Sequence, residues 1–273
     1  MSIQIGGDGM KAYDFEYDGY SLSDFGYVLC HFGSEGLQTI SNGSQITFNT
    51  VSTLSGAKYE LTSTTYENCL ESIFQICKKP CGTDNVEITV DELRTLSRWL
   101  NRKGFHKFKI LSDEHLDIYF EASFNISRIE MDGKLYGLEL ELRTNRPFAL
   151  QEPKKIVIKN LEANGEKTIK DYSDVEGYIY PDMKITVNES GDLSIYNEIE
   201  DRTTLISNCT IGEVITMRYP IIESSVAEHK IQNDFNWNFF RIANSFKNSV
   251  NKLVISLPCT IEITYSPAVK VGI

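Results

Sequence analysis

Three cysteines close together are the residues of this sequence best suited to holding a metal. Cys77 and Cys81 stand in the run CKKPC, and Cys69 precedes them by eight residues. Structural zinc requires four donors, usually supplied as two C-x2–4-C pairs. The remaining cysteines are isolated, and no pair of histidines has matching spacing. We therefore predict no metal site, and we interpret the cysteines as reduced thiols that mostly serve as small core residues.

Histidines and carboxylates do not form a recognisable catalytic group. The histidines are scattered along the chain, at His31, His106, His115 and His229. His31 follows Cys30, but adjacent side chains of a strand point to opposite faces, and we expect His106 on the outer face of a sheet. The sequence lacks a phosphate loop, a nucleophile elbow and an HExxH motif. We predict no catalytic residue, no cofactor and no enzymatic activity.

Aromatic residues near the C-terminus allow two interpretations. In the run DFNWNFFRIANSFKN, Phe235, Trp237 and Phe239 occupy alternate positions. Exposed rings stack on pyranose rings in a sugar-binding sandwich, whereas in an ordinary sandwich they fill the core. Because Trp and Phe are mostly buried, we favour the core. Trp237 is the candidate saccharide-facing residue under the other interpretation.

Composition indicates a globular, β-rich protein with room for two domains. The chain has 273 residues, 41% hydrophobic and 24% charged, with 14 Tyr and 14 Phe. Its net charge of −11 argues against non-specific binding to nucleic acid. The N-terminus does not resemble a signal peptide, and no apolar run is long enough to cross a bilayer. We expect a cytosolic product without membrane insertion.

The first half of the chain predicts strands around one helix. Hairpin turns are expected at Asp18-Gly19 and Asp132-Gly133. Thr89 and Glu92 form a capping box that begins the helix, and Gly104 is expected to stop it. An apolar stripe follows the helical spacing, at Val90, Leu93, Leu96 and Leu100. The next strand has three candidate core residues, Phe105, Phe108 and Ile110.

A polar segment interrupts this pattern over residues 33–58, which are rich in Ser, Thr, Gly and Asn. Within it, TISNGSQITF predicts a hairpin about Asn42-Gly43. The segment has few anchors for a core, so we predict a protruding arm over residues 36–58. Such an arm can gain burial by adding to a partner.

The second half predicts a β-sandwich. Pro147 and Pro153 mark a boundary near residue 150 and divide the chain into domains 1–149 and 150–273. Beyond it, short strands such as KKIVIKNL and TIEITYSP follow one another at the spacing of a sandwich.

The order of these features resembles that of the siphophage distal tail protein family, known as Dit. FEYDGYSLSDFGYVL, YENCLESIFQIC, LRTLSRWLNRKGFHKFKI and GLELELRTNRPFAL follow one another as in its N-terminal domain. The run DFNWNFFRIANSFKNSVNKLVISLPCTIEITYSPAVKVG is similar to its galectin-like second domain. The resemblance covers nearly the whole chain.

The resemblance implies a structural protein of the virion tail tip, assembled in the cytoplasm of the bacterial host. Such proteins form a homo-hexameric ring between the tail tube protein and a lysin-like hub of the tip or baseplate. The ring leaves a channel for DNA and the tape-measure protein, with no specific nucleic-acid binding. The N-terminal domain would close the ring, with the galectin-like β-sandwich outside. The arm would contact a neighbouring copy, with Ile40, Ile46 and Phe48 as candidate contacts.

The expected fold is therefore mainly β with one or two helices. It comprises an N-terminal β-sandwich-like domain with a helix and a hairpin arm, followed by a galectin-like β-sandwich. Two other functions stay open. One is a carbohydrate-binding, lectin-like module that engages host cell-surface saccharides through Trp237. The other is a small β-rich hydrolase, which rests only on the abundance of carboxylates.

Overall fold

The computed structural model describes residues 3–5, 10–12, 14–30, 32, 46–53, 56, 58–66, 68–79, 86–111 and 117–270. This part of the chain is mainly β with two helices, which confirms the predicted fold class. It divides into two compact units. The first runs to Leu150 and is joined by Val269, and the second comprises Gln151–Ala268.

One antiparallel sheet and one helix form most of the first unit. Its elements are β1 (Ile3–Ile5), β2 (Met10–Ala12), β3 (Asp14–Tyr17), β4 (Tyr20–Ser21), β5 (Tyr27–Cys30), β6 (Ile46–Thr53), β7 (Lys58–Tyr66), β8 (Glu71–Lys78), α1 (Val90–Leu100), β9 (His106–Leu111), β10 (Ile118–Met131), β11 (Lys134–Thr144) and β12 (Ala149–Gln151). The sheet has the order β4-β3-β9-β10-β11-β8-β5, and β12 pairs with β10. The predicted turns at Asp18-Gly19 and Asp132-Gly133 are confirmed, since all four residues have the positive φ of a two-residue hairpin loop.

Helix α1 begins at the predicted capping box. Thr89 Oγ1 accepts from the Glu92 backbone N–H at 3.3 Å, and Glu92 Oε2 accepts from the Thr89 N–H at 2.7 Å. Val90 is exposed, so its place in the apolar stripe was predicted wrongly. It lies about 120° around the helix from the buried Leu96. Trp99 is buried instead, and its Nε1–H donates to the Tyr17 carbonyl at 2.9 Å.

Strand β9 buries Phe108 and Ile110. Phe108 and Ile110 are buried as predicted, but Phe105 is exposed. Phe105 and Phe108 are three residues apart, so they cannot share one face of a strand with a period of two. His106 has the parity of Phe108, and its ring meets the buried Tyr17 edge-on at 5.7 Å. The prediction that His106 lies on the outer face is therefore wrong.

The second unit is a sandwich of two antiparallel sheets, as predicted. Its elements are β13 (Lys154–Asn160), β14 (Gly165–Lys170), β15 (Gly177–Ile179), β16 (Asp182–Val187), β17 (Gly191–Asn197), β18 (Arg202–Cys209), β19 (Val214–Arg218), β20 (Ile221–Ser224), α2 (Ile231–Asp234), β21 (Ile242–Asn244), β22 (Val250–Ile255), β23 (Cys259–Tyr265) and β24 (Ala268–Val269). The sheets have the orders β13-β23-β16-β19-β20 and β14-β22-β17-β18. Both contribute to one core, for example through Ile195 of β17 and Ile261 of β23. Burial alternates along β23, as expected for a strand with one face in the core.

A buried amide pair attaches β21 to this sandwich. Asn251 Oδ1 accepts from Asn197 Nδ2 and from the Ala243 N–H, both at 2.8 Å. Asn251 Nδ2 donates to the Ala243 carbonyl at 2.9 Å. Both asparagines are almost completely buried, so each of these bonds replaces a bond to water.

Replacing Asn251 with alanine is expected to destabilise the second unit by about 2–3 kcal/mol, because it leaves buried donors and acceptors without partners. Urea unfolding followed by circular dichroism measures the loss. Asn188 is exposed, so Asn188→Ala is the matched control and should change the free energy of unfolding by less than about 0.5 kcal/mol. Equal effects of the two substitutions would contradict a structural role for the amide pair.

Candidate assembly and ligand surfaces

Strands β6 and β7 form a ribbon apart from the main sheet. Within the described ranges they pair with each other and with no other strand. The register runs from Ile46 opposite Tyr66 to Thr53 opposite Lys58, with one irregularity after Asn49. A two-stranded ribbon is marginally stable in water unless it packs against something else.

A β-bulge decides which residues share a face of this ribbon. Thr62 is the extra residue of β7, and its Oγ1 donates to the Asn49 carbonyl at 2.8 Å. Side chains of a strand alternate between faces, so an extra residue exchanges odd and even positions beyond it. Tyr59 and Leu61 therefore join Tyr66 on one face.

The two faces of the ribbon differ sharply in polarity. The apolar face carries five large side chains that are between 38% and 66% exposed, namely Ile46, Phe48, Tyr59, Leu61 and Tyr66. On the opposite face Asn49 Nδ2 donates to Ser63 Oγ at 3.0 Å, and Lys58 forms an ion pair with Glu60 at 2.5 Å. Val51 is the large apolar residue of that polar face.

The structure places the predicted arm residues as follows. Ile46 and Phe48 lie on the apolar face, whereas Ile40 and the hairpin predicted at Asn42-Gly43 lie outside the described residues. The described ribbon reverses between Thr53 and Lys58 and continues to Tyr66, beyond the predicted end of the arm. The sequence interpretation missed the three apolar residues of β7. The alternation of Tyr59 and Leu61 shortly after Gly56 is the signal that could have found them.

The C-terminal aromatic run is only partly buried. Phe235 and Phe239 lie in the core as favoured, but Trp237 is 56% exposed, so the core interpretation is wrong for this residue. Trp237 has a φ of +59°, a left-handed conformation that breaks the alternation of the run and turns the indole outward. Phe246, further along the same run, is also exposed.

A buried polar cluster is the nearest approach to a catalytic arrangement in the described part of the chain. Glu213 Oε1 accepts from Ser224 Oγ at 2.6 Å and lies 2.6 Å from His229 Nδ1. His229 Nε2 lies 3.4 Å from a carboxylate oxygen of Asp234. The Glu213 and His229 side chains are 0% and 4% exposed, so the cluster offers no surface to a substrate. Its hydrogen bonds connect the residue before β19 with Ser224 at the end of β20 and with His229, which precedes α2.

Hydrogen bonds determine the charge state of this cluster. Burial by itself raises the pKa of Glu213. Donors from Ser224, Thr210 and His229 outweigh that effect and hold the pKa of the carboxyl below its ordinary value. Glu213 is therefore a buried, hydrogen-bonded carboxylate at neutral pH.

Cys209 and Cys259 are packed in the core of the second unit. Burial raises the pKa of the Cys209 thiol to about 11, with a further contribution from the charge of Glu213, and burial likewise raises that of Cys259 to about 12. Cys69 is exposed, Cys77 is half-buried, and Cys81 lies outside the described residues. Within the described ranges, no three His, Cys, Asp or Glu side chains converge as a metal site would require.

Neither helix in the described ranges is long and apolar enough to cross a membrane.

Comparisons with known proteins identify the family. The sequence matches the phage tail protein N-terminal domain over residues 10–146 and the phage tail C-terminal domain over residues 148–265. No curated protein matches it. Among solved structures it is similar to Dit of phage SPP1, described as a paradigm of the hub adsorption apparatus in phages that infect Gram-positive bacteria. That match has a TM-score of 0.62 at 12% identity and covers 94% of this chain and 99% of the other. The chain therefore belongs to the phage tail protein family that these two domains define, and it is a tail structural protein with the fold of Dit.

Proposed function

We propose that this tail protein is a distal tail protein whose copies form a hexameric ring at the virion tail tip. The ring joins the tail tube to a lysin-like hub and leaves a channel for DNA and the tape-measure protein. Assembly takes place in the cytoplasm of the bacterial host. The observation that carries this proposal is the apolar face of the β6–β7 ribbon, and the fold shared with SPP1 Dit agrees with it.

The ribbon favours association because its five large side chains gain burial only when another surface covers them. Burying one such side chain completely is worth about 1.5–3 kcal/mol. No described strand of the same chain pairs with the ribbon. A neighbouring copy of the chain is the natural partner, since a head-to-tail contact repeated around an axis closes into a ring.

The two units then take different roles. The proposed ring-forming domain comprises residues 1–149, because it carries the ribbon, and the proposed outer domain is the sandwich of residues 150–273. The net charge of −11 suits a passage through which DNA slides, because an acidic wall does not neutralise phosphates.

Light scattering and negative-stain imaging of the purified protein test the ring directly. Six copies of a 31.0 kDa chain give 6 × 31.0 = 186 kDa, and we expect six-fold particles of that mass with an open centre. If the protein is a monomer at every concentration, the purified tail tube protein is added and the measurement repeated. A monomer in both conditions, or a ring of different symmetry, would contradict the proposed hexamer.

A further inference from the structure

A connected set of aromatic rings in the second unit includes both core and surface residues. It consists of Trp237, Phe235, Phe239, Tyr219, Tyr180 and Tyr178, and successive ring centroids lie 4.1 to 5.7 Å apart. Phe235 and Phe239 are buried, whereas Tyr178, Tyr219 and Trp237 are between 54% and 56% exposed. The buried rings therefore anchor an exposed aromatic surface, which we call the aromatic row.

The exposed rings leave flat faces open to solvent. Tyr180 is parallel to Tyr219 at 4.1 Å and covers one of its faces, yet Tyr219 remains more than half exposed. Trp237 meets Phe235 and Phe239 at interplanar angles of 51° and 63°. No described ring is therefore stacked flat on the indole. Tyr219 and Trp237 both expose aromatic surface to solvent.

The backbone under Trp237 is strained and strongly braced. A φ of +59° is rare for a bulky side chain and is a strained backbone conformation. The Asn236 side chain holds the turn, because its Oδ1 accepts from the Leu205 and Asn238 N–H groups and its Nδ2 donates to the Thr203 carbonyl, all within 3.2 Å. Glycine would adopt this conformation without strain. Strain that keeps a tryptophan facing solvent indicates a binding role for its indole.

Charges beside the row are already paired. The Arg241 guanidinium lies 3.9 Å over the Tyr178 ring and forms an ion pair with Glu200 at 2.5 Å. These features favour a neutral ligand with flat apolar faces and polar edges.

We propose that the aromatic row binds a neutral oligosaccharide, with sugar rings stacked on Trp237 and Tyr219. The apolar C–H faces of a pyranose match flat aromatic surfaces, and its hydroxyls reach polar groups beside them. Asn238 follows Trp237, and its carboxamide makes no hydrogen bond among the described residues, so it is available to a sugar hydroxyl. The proposal is independent of ring formation, since the row lies entirely within the second unit.

Tryptophan fluorescence of the full-length protein tests the proposal. The probe is an array of neutral oligosaccharides of hexoses and N-acetylhexosamines, followed by titration with those that bind. Trp99 is buried in the first unit, so ligand-dependent changes report on Trp237. We expect Trp237→Gly to weaken binding about tenfold or more while the protein stays folded, because glycine suits the backbone. Isothermal titration calorimetry measures the affinity of the Trp237 variants, since these substitutions remove the fluorescent reporter. Trp237→Tyr should retain most of the affinity.

Tyr172→Ala is the matched control, since Tyr172 is an equally exposed tyrosine of the same unit outside the row. It should leave saccharide binding unchanged. Absence of binding to every oligosaccharide would overturn the proposal, as would equal losses in Trp237→Gly and Tyr172→Ala. A Trp237→Gly protein that binds saccharide normally but fails to join its ring or its tail partners would also overturn it, and would identify the row as a protein contact.

Discussion

Replacing both Phe48 and Leu61 with serine is expected to leave the protein folded but to prevent ring formation. Phe48 and Leu61 lie on the apolar face of the β6–β7 ribbon, and neither belongs to the buried core of the first unit. If each side chain is buried at a contact between copies, replacing both weakens the association free energy of that contact by about 3 kcal/mol or more. That loss corresponds to a contact at least about a hundredfold weaker, and it recurs at every contact of a closed ring.

The matched control for this double variant is Val51→Ser. Val51 is half-exposed in the same ribbon, but it lies on the polar face. The control should form rings like the original protein. Light scattering measures assembly, and circular dichroism shows whether each variant is folded. Rings formed by the Phe48→Ser, Leu61→Ser protein, or an equal loss in Val51→Ser, would show that the apolar face is not the assembly contact.

Local rules explain why parts of the first unit could be predicted. The capping box at Thr89 and Glu92 and the hairpin turn at Asp132-Gly133 each depend on a few neighbouring residues, and both are confirmed. The prediction of the apolar stripe of α1 was less accurate. Whether Val90 or Trp99 is buried depends on how the helix is rotated against the sheet. That rotation is set by contacts such as the Trp99 bond to the Tyr17 carbonyl, between residues 82 positions apart.

Departures from regular alternation explain what the sequence did not predict about the candidate surfaces. Thr62 shifts the parity of β7, so Tyr59 and Leu61 reach the face of Tyr66 although their numbering places them opposite. The positive φ at Trp237 likewise departs from an extended conformation within the aromatic run. A bulge or a left-handed residue has no signature in hydrophobic periodicity, because periodicity assumes one backbone conformation throughout a strand.

The Glu213 cluster could not be predicted from the sequence for a different reason. His229 stands in the polar stretch AEHKIQND, where it gave no indication of burial. In the structure it contacts Glu213 and Asp234 and is almost completely buried. The contact joins residues 16 positions apart in two separate connecting segments, so only the folded chain brings them together.

Replacing Glu213 with alanine is expected to lower the free energy of unfolding of the second unit by about 3 kcal/mol or more. The substitution removes the acceptor of Ser224, Thr210 and His229, and each buried donor left without a partner costs about 1–3 kcal/mol. Urea unfolding at pH 7 measures the loss. Glu223 is an exposed carboxylate of neighbouring β20, and Glu223→Ala should change stability by less than about 0.5 kcal/mol.

The same contact predicts a dependence on pH. The pKa of Glu213 is held below its ordinary value of 4.5 in the folded protein, so the unfolded chain takes up a proton first as the pH falls. The stabilisation by the carboxylate is therefore complete above pH 4.5 and is lost as the pH falls through the lower pKa of the folded state. We expect the difference in unfolding free energy between the original protein and Glu213→Ala to shrink as the pH falls below 4.5. A difference that stays the same well below that value would mean that Glu213 is not the ionised partner in this contact.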